Sequence, residues 1–249
     1  MINVDCPLVV ANTIVYFSSN VPEILPFLLT ALLNIPLALA VTQILAIDLG
    51  TDILPSLALG MDKPEPDIMR RPPRRKNQLL VERGMLSRSF FWLGLIEAAL
   101  CYSGFFLIYA HSNPGLFATL LDWFPFLKPI PPEQAYSLAV TAYLAGVVTA
   151  QAGNAMACRT EVNRGRSLGW FSNRFLIFSI GAEFALIILL IYLPVVSQAF
   201  NNQPLPPIFW VWLILYAPLL YGLEEMRKSV LRWLNRARSN HIDSKKEAI

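Results

Sequence analysis

SSNVPEILPF, residues 18–27, interrupts an apolar run that extends from about residue 9 to residue 33. It sets Asn20, Glu23, Pro22 and Pro26 where a lipid-embedded helix would carry leucine. The run is one of several. The chain has 249 residues, 55% of them hydrophobic and only 15% charged, and a mean hydropathy of +0.49. A soluble domain of this length carries more charge and fewer long apolar stretches. Six segments, near 9–33, 36–60, 89–110, 136–158, 174–195 and 208–226, approach or exceed the roughly 20 residues that cross a bilayer as a helix. The expectation is an all-α integral membrane protein, a six-helix transmembrane bundle.

The breaks between segments are legible. Asn34-Ile35-Pro36 turns the first two into a hairpin, His111 to Gly115 bounds the third, and Asn201 to Pro204 separates the last two. Basic residues fall in three groups, from Lys63 to Arg88, from Arg159 to Arg174 and from Arg227 to Lys246. Only Lys128 of the 20 Lys and Arg lies elsewhere. The positive-inside rule then places both termini in the cytoplasm. The net charge of +3 is an orientation signal and gives no reason to expect a nucleic-acid partner. Cys6, Cys101 and Cys158 are too far apart in sequence to suggest a disulfide framework or a zinc site. MINVDCPLVV lacks the basic start of a cleavable signal peptide, and the end of the chain is polar.

Five carboxylates lie within apolar segments: Glu23, Asp48, Asp52, Glu97 and Glu183. A charge at mid-bilayer costs at least a few kcal/mol, so each is a candidate site. Ser19 and Glu23 are four apart on one helical face, with Asn20 adjoining; Asp48 and Asp52 repeat the spacing on the next helix, with Thr51 beside them. Oxygen-rich stripes on a hairpin supply the hard ligands that Na⁺, K⁺, Ca²⁺ or Mg²⁺ prefer, and a proton could replace a metal on Glu23. Pro22 and Pro26 cannot donate to the carbonyls of Ser18 and Pro22, which frees both for a cation. Gly50 permits local unwinding. Gln151 and Asn154 on the fourth helix could complete the shell, although amides also join helices. Trp210, Trp212 and Tyr216 read as packing or anchoring residues, and Glu97 as a hydrogen-bonded or snorkelling group whose change to Gln matters little.

SSNVPEILPF, then QILAIDLGTDILPSLALG (43–60), then PEPDIMRRPPR (64–74) resembles the C-terminal membrane half of P2-type cation-transporting P-type ATPases. The resemblance runs from about Ile14 to Trp233 and implies that the six segments are the family's helices five to ten. It implies domains over 13–235, with an unmatched segment 1–12 and a polar tail 236–249. It implies a cation site at Asn20, Glu23, Asp48, Thr51 and Asp52, with Ser19, Gln151, Asn154 and Glu183 as weaker members. An aspartate at 48 is similar to the sodium/potassium type, whereas Asn154 stands where that type has an acidic residue. PDIMRRPPR resembles the loop that meets the phosphorylation domain of full-length pumps. DKTGT, TGES and PEGL do not occur, so no catalytic residue and no cofactor is expected in this sequence; ATP and Mg²⁺ belong to the full-length family. The expected setting is a multi-pass protein of the plasma membrane, touching lipid, a transported cation and either the other half of a pump or an intact one. A regulator of an intact pump and a passive cation pathway are the competing readings.

Overall fold

The computed structural model describes residues 2–63, 82–112, 132–161 and 163–247. PDIMRRPPR and Lys128 lie outside them. Among the described residues the secondary structure is helical, and six helices are long and apolar enough to cross a membrane: Val10–Leu33, Val41–Gly60, Arg83–Tyr109, Gln134–Cys158, Arg174–Tyr192 and Pro207–Leu234. They are called here the first to sixth spans.

The fourth span is the axis of the bundle. Of its apolar window 89% is buried, against 28% to 50% for the others. Its sequence explains this position, because small residues recur along it and let neighbours approach closely. A Cβ on Gly153 would collide with the backbone of Ala217 in the sixth span, and one on Gly146 would crowd Tyr216 and Cys101. Tyr216 packs in the core as expected, its hydroxyl 2.9 Å from Ser103 Oγ of the third span.

The two prolines do not break the first helix, which stays α-helical over Ile2–Leu33. It ends at Asn34, which takes the left-handed conformation (φ 55°) and donates to the Thr30 carbonyl at 3.1 Å. The second span is helical from Val41 rather than from Pro36 and contains a π-helical turn, Asp48–Asp52, between α-helical Val41–Ile47 and Ile53–Gly60. A second π segment, Ser87–Gly94, follows the first α-helical turn of the third span, and there Gly94 lies against Val21 of the first. The fifth span stops at Tyr192 and is followed by a short helix, Pro194–Ala199.

The two ends of the bundle differ in chemistry. One end carries buried ion pairs. Arg159 bonds Asp62 through Nε (2.6 Å) and Nη2 (3.1 Å), Arg88 pairs with Glu224 at 2.6 Å, and Lys228 donates to the Ala157 carbonyl, Thr160 and Glu225. The opposite end is joined by neutral groups: Gln43 donates to Asn202 Oδ1 at 2.7 Å, and Thr141 Oγ1 accepts from the Gln203 amide. Cys101 and Cys158 are free, buried thiols.

Candidate cation site

The hairpin and the central fourth span bring three carboxylates together halfway along the bundle. Oxygens of Glu23, Asp48 and Asp52 all lie within 4.8 Å of one another. Residues four apart in an α-helix are offset by about 40° around the axis, whereas a π turn takes up an extra residue. A π turn occupies Asp48–Asp52 in the second span, and Gly50 within it leaves room for Leu186 of the fifth span. π bulges of this kind occur frequently at functional sites.

Asp52 is the best-anchored member. Its Oδ2 accepts from Ser19 Oγ at 2.9 Å, and its Oδ1 accepts from Gln151 Nε2 at 2.9 Å. Gln151 Oε1 lies 3.4 Å from Thr51 Oγ1, whose hydroxyl also bonds the Ile47 carbonyl at 2.9 Å. Ser19, Thr51 and Gln151 thus attach to the cluster through Asp52. Glu23 is 3% exposed, and its Oε1 has no hydrogen-bond partner. Among the described residues no Lys or Arg pairs with any of the three carboxylates. Two like charges about 4.8 Å apart repel by roughly 3 kcal/mol at an effective dielectric of about 20, so the cluster needs bound cations or protons.

The remaining candidates are distributed differently. Asn20 turns its amide back to the Tyr16 carbonyl at 2.6 Å and is only partly buried. Asn154 donates to Ser18 Oγ at 2.5 Å and lies 3.4 Å from Glu97 Oε2, in a buried group beside the trio. Glu97 is fully buried with Oε1 unpartnered, so it does not snorkel. Glu183 is 1% exposed, and neither of its oxygens has a hydrogen-bond partner.

Two participants escaped the sequence reading. Ser18 enters the sequence reading only through its backbone carbonyl, yet its hydroxyl joins Asn154 to the first span. Tyr143 donates to the Pro22 carbonyl at 2.7 Å and so occupies one of the acceptors expected to face a cation. A tyrosine in an apolar fourth span was the only signal for it.

Residues 36–230 match the family model described as cation transporting ATPase, C-terminus. The chain belongs to this family. It is 32% identical over 242 residues to a sodium/potassium-transporting ATPase subunit alpha-1 from Catostomus commersonii, a match covering 88% of the chain and 23% of the relative. It is 33% identical over 231 residues to the alpha-3 subunit from Homo sapiens, covering 86% and 23%. The chain therefore spans about a quarter of the length of these relatives. As a cation-transporting ATPase membrane domain with six apolar helices, it is an integral, multi-pass membrane protein.

Proposed function

We propose that this domain carries the cation-binding half of a P-type ion pump, with Glu23, Asp48 and Asp52 as the charged ligands and Asn20, Ser19, Thr51 and Gln151 around them. Asn154 and Glu183 are outer members. The observation that carries the reading is the convergence of three intramembrane carboxylates with no side-chain cation paired to them among the described residues. Neutral hydrogen bonds hold Asp52, but they leave the repulsion of the whole set, which an exchangeable cation, a proton included, removes.

Na⁺, K⁺, Ca²⁺ and H⁺ are the cargo candidates, and the similarity to sodium/potassium-transporting ATPase alpha subunits favours sodium and potassium. In this proposal ATP and Mg²⁺ act on a catalytic half supplied together with this domain, which spans 13–235. The basic, ion-paired end of the bundle is the cytoplasmic one, which puts both termini there, and the membrane is the plasma membrane.

The test uses the purified chain in lipid nanodiscs. Carbodiimide modification of Glu23 and Asp52 is mapped by mass spectrometry while Na⁺, K⁺ or Ca²⁺ is titrated. Protection by one cation, weakened about a hundredfold by Asp52→Asn, is expected. Labelling that no cation changes in the chain, alone or assembled with a pump's catalytic half, would refute the assignment.

A further inference from the structure

We infer that Tyr143 is a positioning residue for the cation site: its hydroxyl replaces the backbone donor that Pro26 lacks and so pins the turn of the first span that carries Glu23. The inference rests on the cation-site reading but concerns a residue outside the ligand set.

In an α-helix the amide of residue 26 donates to the carbonyl of residue 22, and proline has no amide hydrogen. In lipid such an orphaned carbonyl must find another donor. The Pro22 carbonyl finds it in the fourth span, where Tyr143 Oη donates at 2.7 Å, a contact between residues 121 apart in sequence. Tyr143 is fully buried, and its ring stands edge-on to Tyr102, centroids 5.0 Å apart at 74°. That packing restrains the ring, so the hydroxyl is held rather than merely able to reach.

Pro22 is the residue immediately before Glu23, and the helix continues unbroken through both prolines. The direction of the Pro22 carbonyl fixes the peptide plane from which Glu23 projects. Glu23 Oε1 has no hydrogen-bond partner of its own, so backbone placement rather than side-chain bonding sets its approach to Asp48 and Asp52. The fourth span thereby holds the site from two sides: Gln151 grips the second span at Asp52, and Tyr143 grips the first at Pro22. A phenylalanine at 143 would fill the same space and lose only the grip.

The experiment is a double-mutant cycle between Tyr143→Phe and Pro26→Ala in the full chain in nanodiscs. Pro26→Ala restores an amide that can reach the Pro22 carbonyl. Two readouts are taken on all four proteins: binding of sodium, rubidium and calcium radiotracers, and the midpoint of unfolding. Tyr143→Phe should weaken cation binding about fivefold and lower the midpoint when residue 26 is proline, and should do neither when it is alanine. A packing role alone gives the same loss in both backgrounds and overturns the inference, as does no loss in either. If none of the three ions binds to the parent chain, either alone or assembled with a pump's catalytic half, the reading of a metal-cation site fails separately. A midpoint cycle that shows the predicted coupling then leaves Tyr143 pinning the turn without serving a site, which overturns the positioning role.

Discussion

Asp62 and Arg159 lock the end of the span that bears Asp48 and Asp52 to the end of the span that bears Gln151. Asp62→Asn tests how much that lock contributes. Both side chains are 1% exposed, and the closest N–O distance is 2.6 Å. At an effective dielectric of about 20, that separation corresponds to a gross attraction of roughly 6 kcal/mol. The substitution also removes the desolvation cost of the carboxylate, which offsets part of the loss, but it leaves the guanidinium buried with reduced compensation. Arg159 keeps its bonds to the Gly169 carbonyl (2.8 Å) and Ser172 Oγ (2.6 Å), which limits the damage without neutralising the charge. A net loss of about 3–5 kcal/mol is therefore expected, in line with breaking a buried pair from one side. The assay is reversible unfolding in mixed micelles, followed by far-UV circular dichroism. Asp62→Leu combined with Arg159→Met removes both charges and should be less costly than the sum of the two single changes by at least about 2 kcal/mol. A loss below about 1 kcal/mol for Asp62→Asn, or simple additivity in the double variant, would refute the reasoning.

Other perturbations separate rigid from yielding contacts. Gly153→Ala forces a Cβ into the backbone of Ala217 and should cost about 2–3 kcal/mol in the same unfolding assay, whereas at Gly50 the obstacle is only the tip of Leu186 and Gly50→Ala should stay near 1 kcal/mol. Gly181 has open space around a Cβ, so Gly181→Ala should stabilise the fifth span by about 0.5–1 kcal/mol. Lys228→Met leaves the Ala157 carbonyl, Thr160 and Glu225 without their shared donor and should cost about 3 kcal/mol, measured the same way. Glu97→Gln keeps an oxygen for Asn154 and should move cation affinity less than about threefold in the radiotracer assay; a larger loss would extend the site to the third span.

The number of spans was legible because hydropathy and length report directly on the solvent a segment prefers. The pairing of Glu23 with Asp48 and Asp52 was legible because they sit midway along consecutive spans joined by a short connection, a local matter. Lateral order and rotation are not local. Whether Tyr143 or Val147 faces the first span depends on how Gly146 and Gly153 seat the fourth span against its neighbours. The Tyr143–Pro22 contact could not be read before that rotation was known. The π turn at Asp48–Asp52 is similar: Gly50 permitted unwinding, but the form it takes accompanies contact with Leu186, far away in sequence. The prolines misled in the opposite direction. They marked freed acceptors correctly, yet a side chain from another span meets one of them and the helix continues.

The protein's own carboxylates offer an internal comparison that bears on function. At the ion-paired end, Asp62 receives two bonds from Arg159, and Glu224 receives bonds from Arg88 and Arg227. Acidic groups that join helices here are matched by fixed cationic partners. The central trio is treated differently. Asp52 receives bonds from one hydroxyl and one amide, and Glu23 Oε1 receives none. Two neutral donors do not offset three mutually close acidic groups at about 3 kcal/mol per charged pair. A fixed lysine at this depth would have stabilised the bundle more simply, as Lys228 does at the charged end. A cluster left without one is stable as a set of carboxylates only when its positive charge arrives from solution. In the proposed reading, exchangeable cations or protons supply that charge, a requirement that helix adhesion alone would not create.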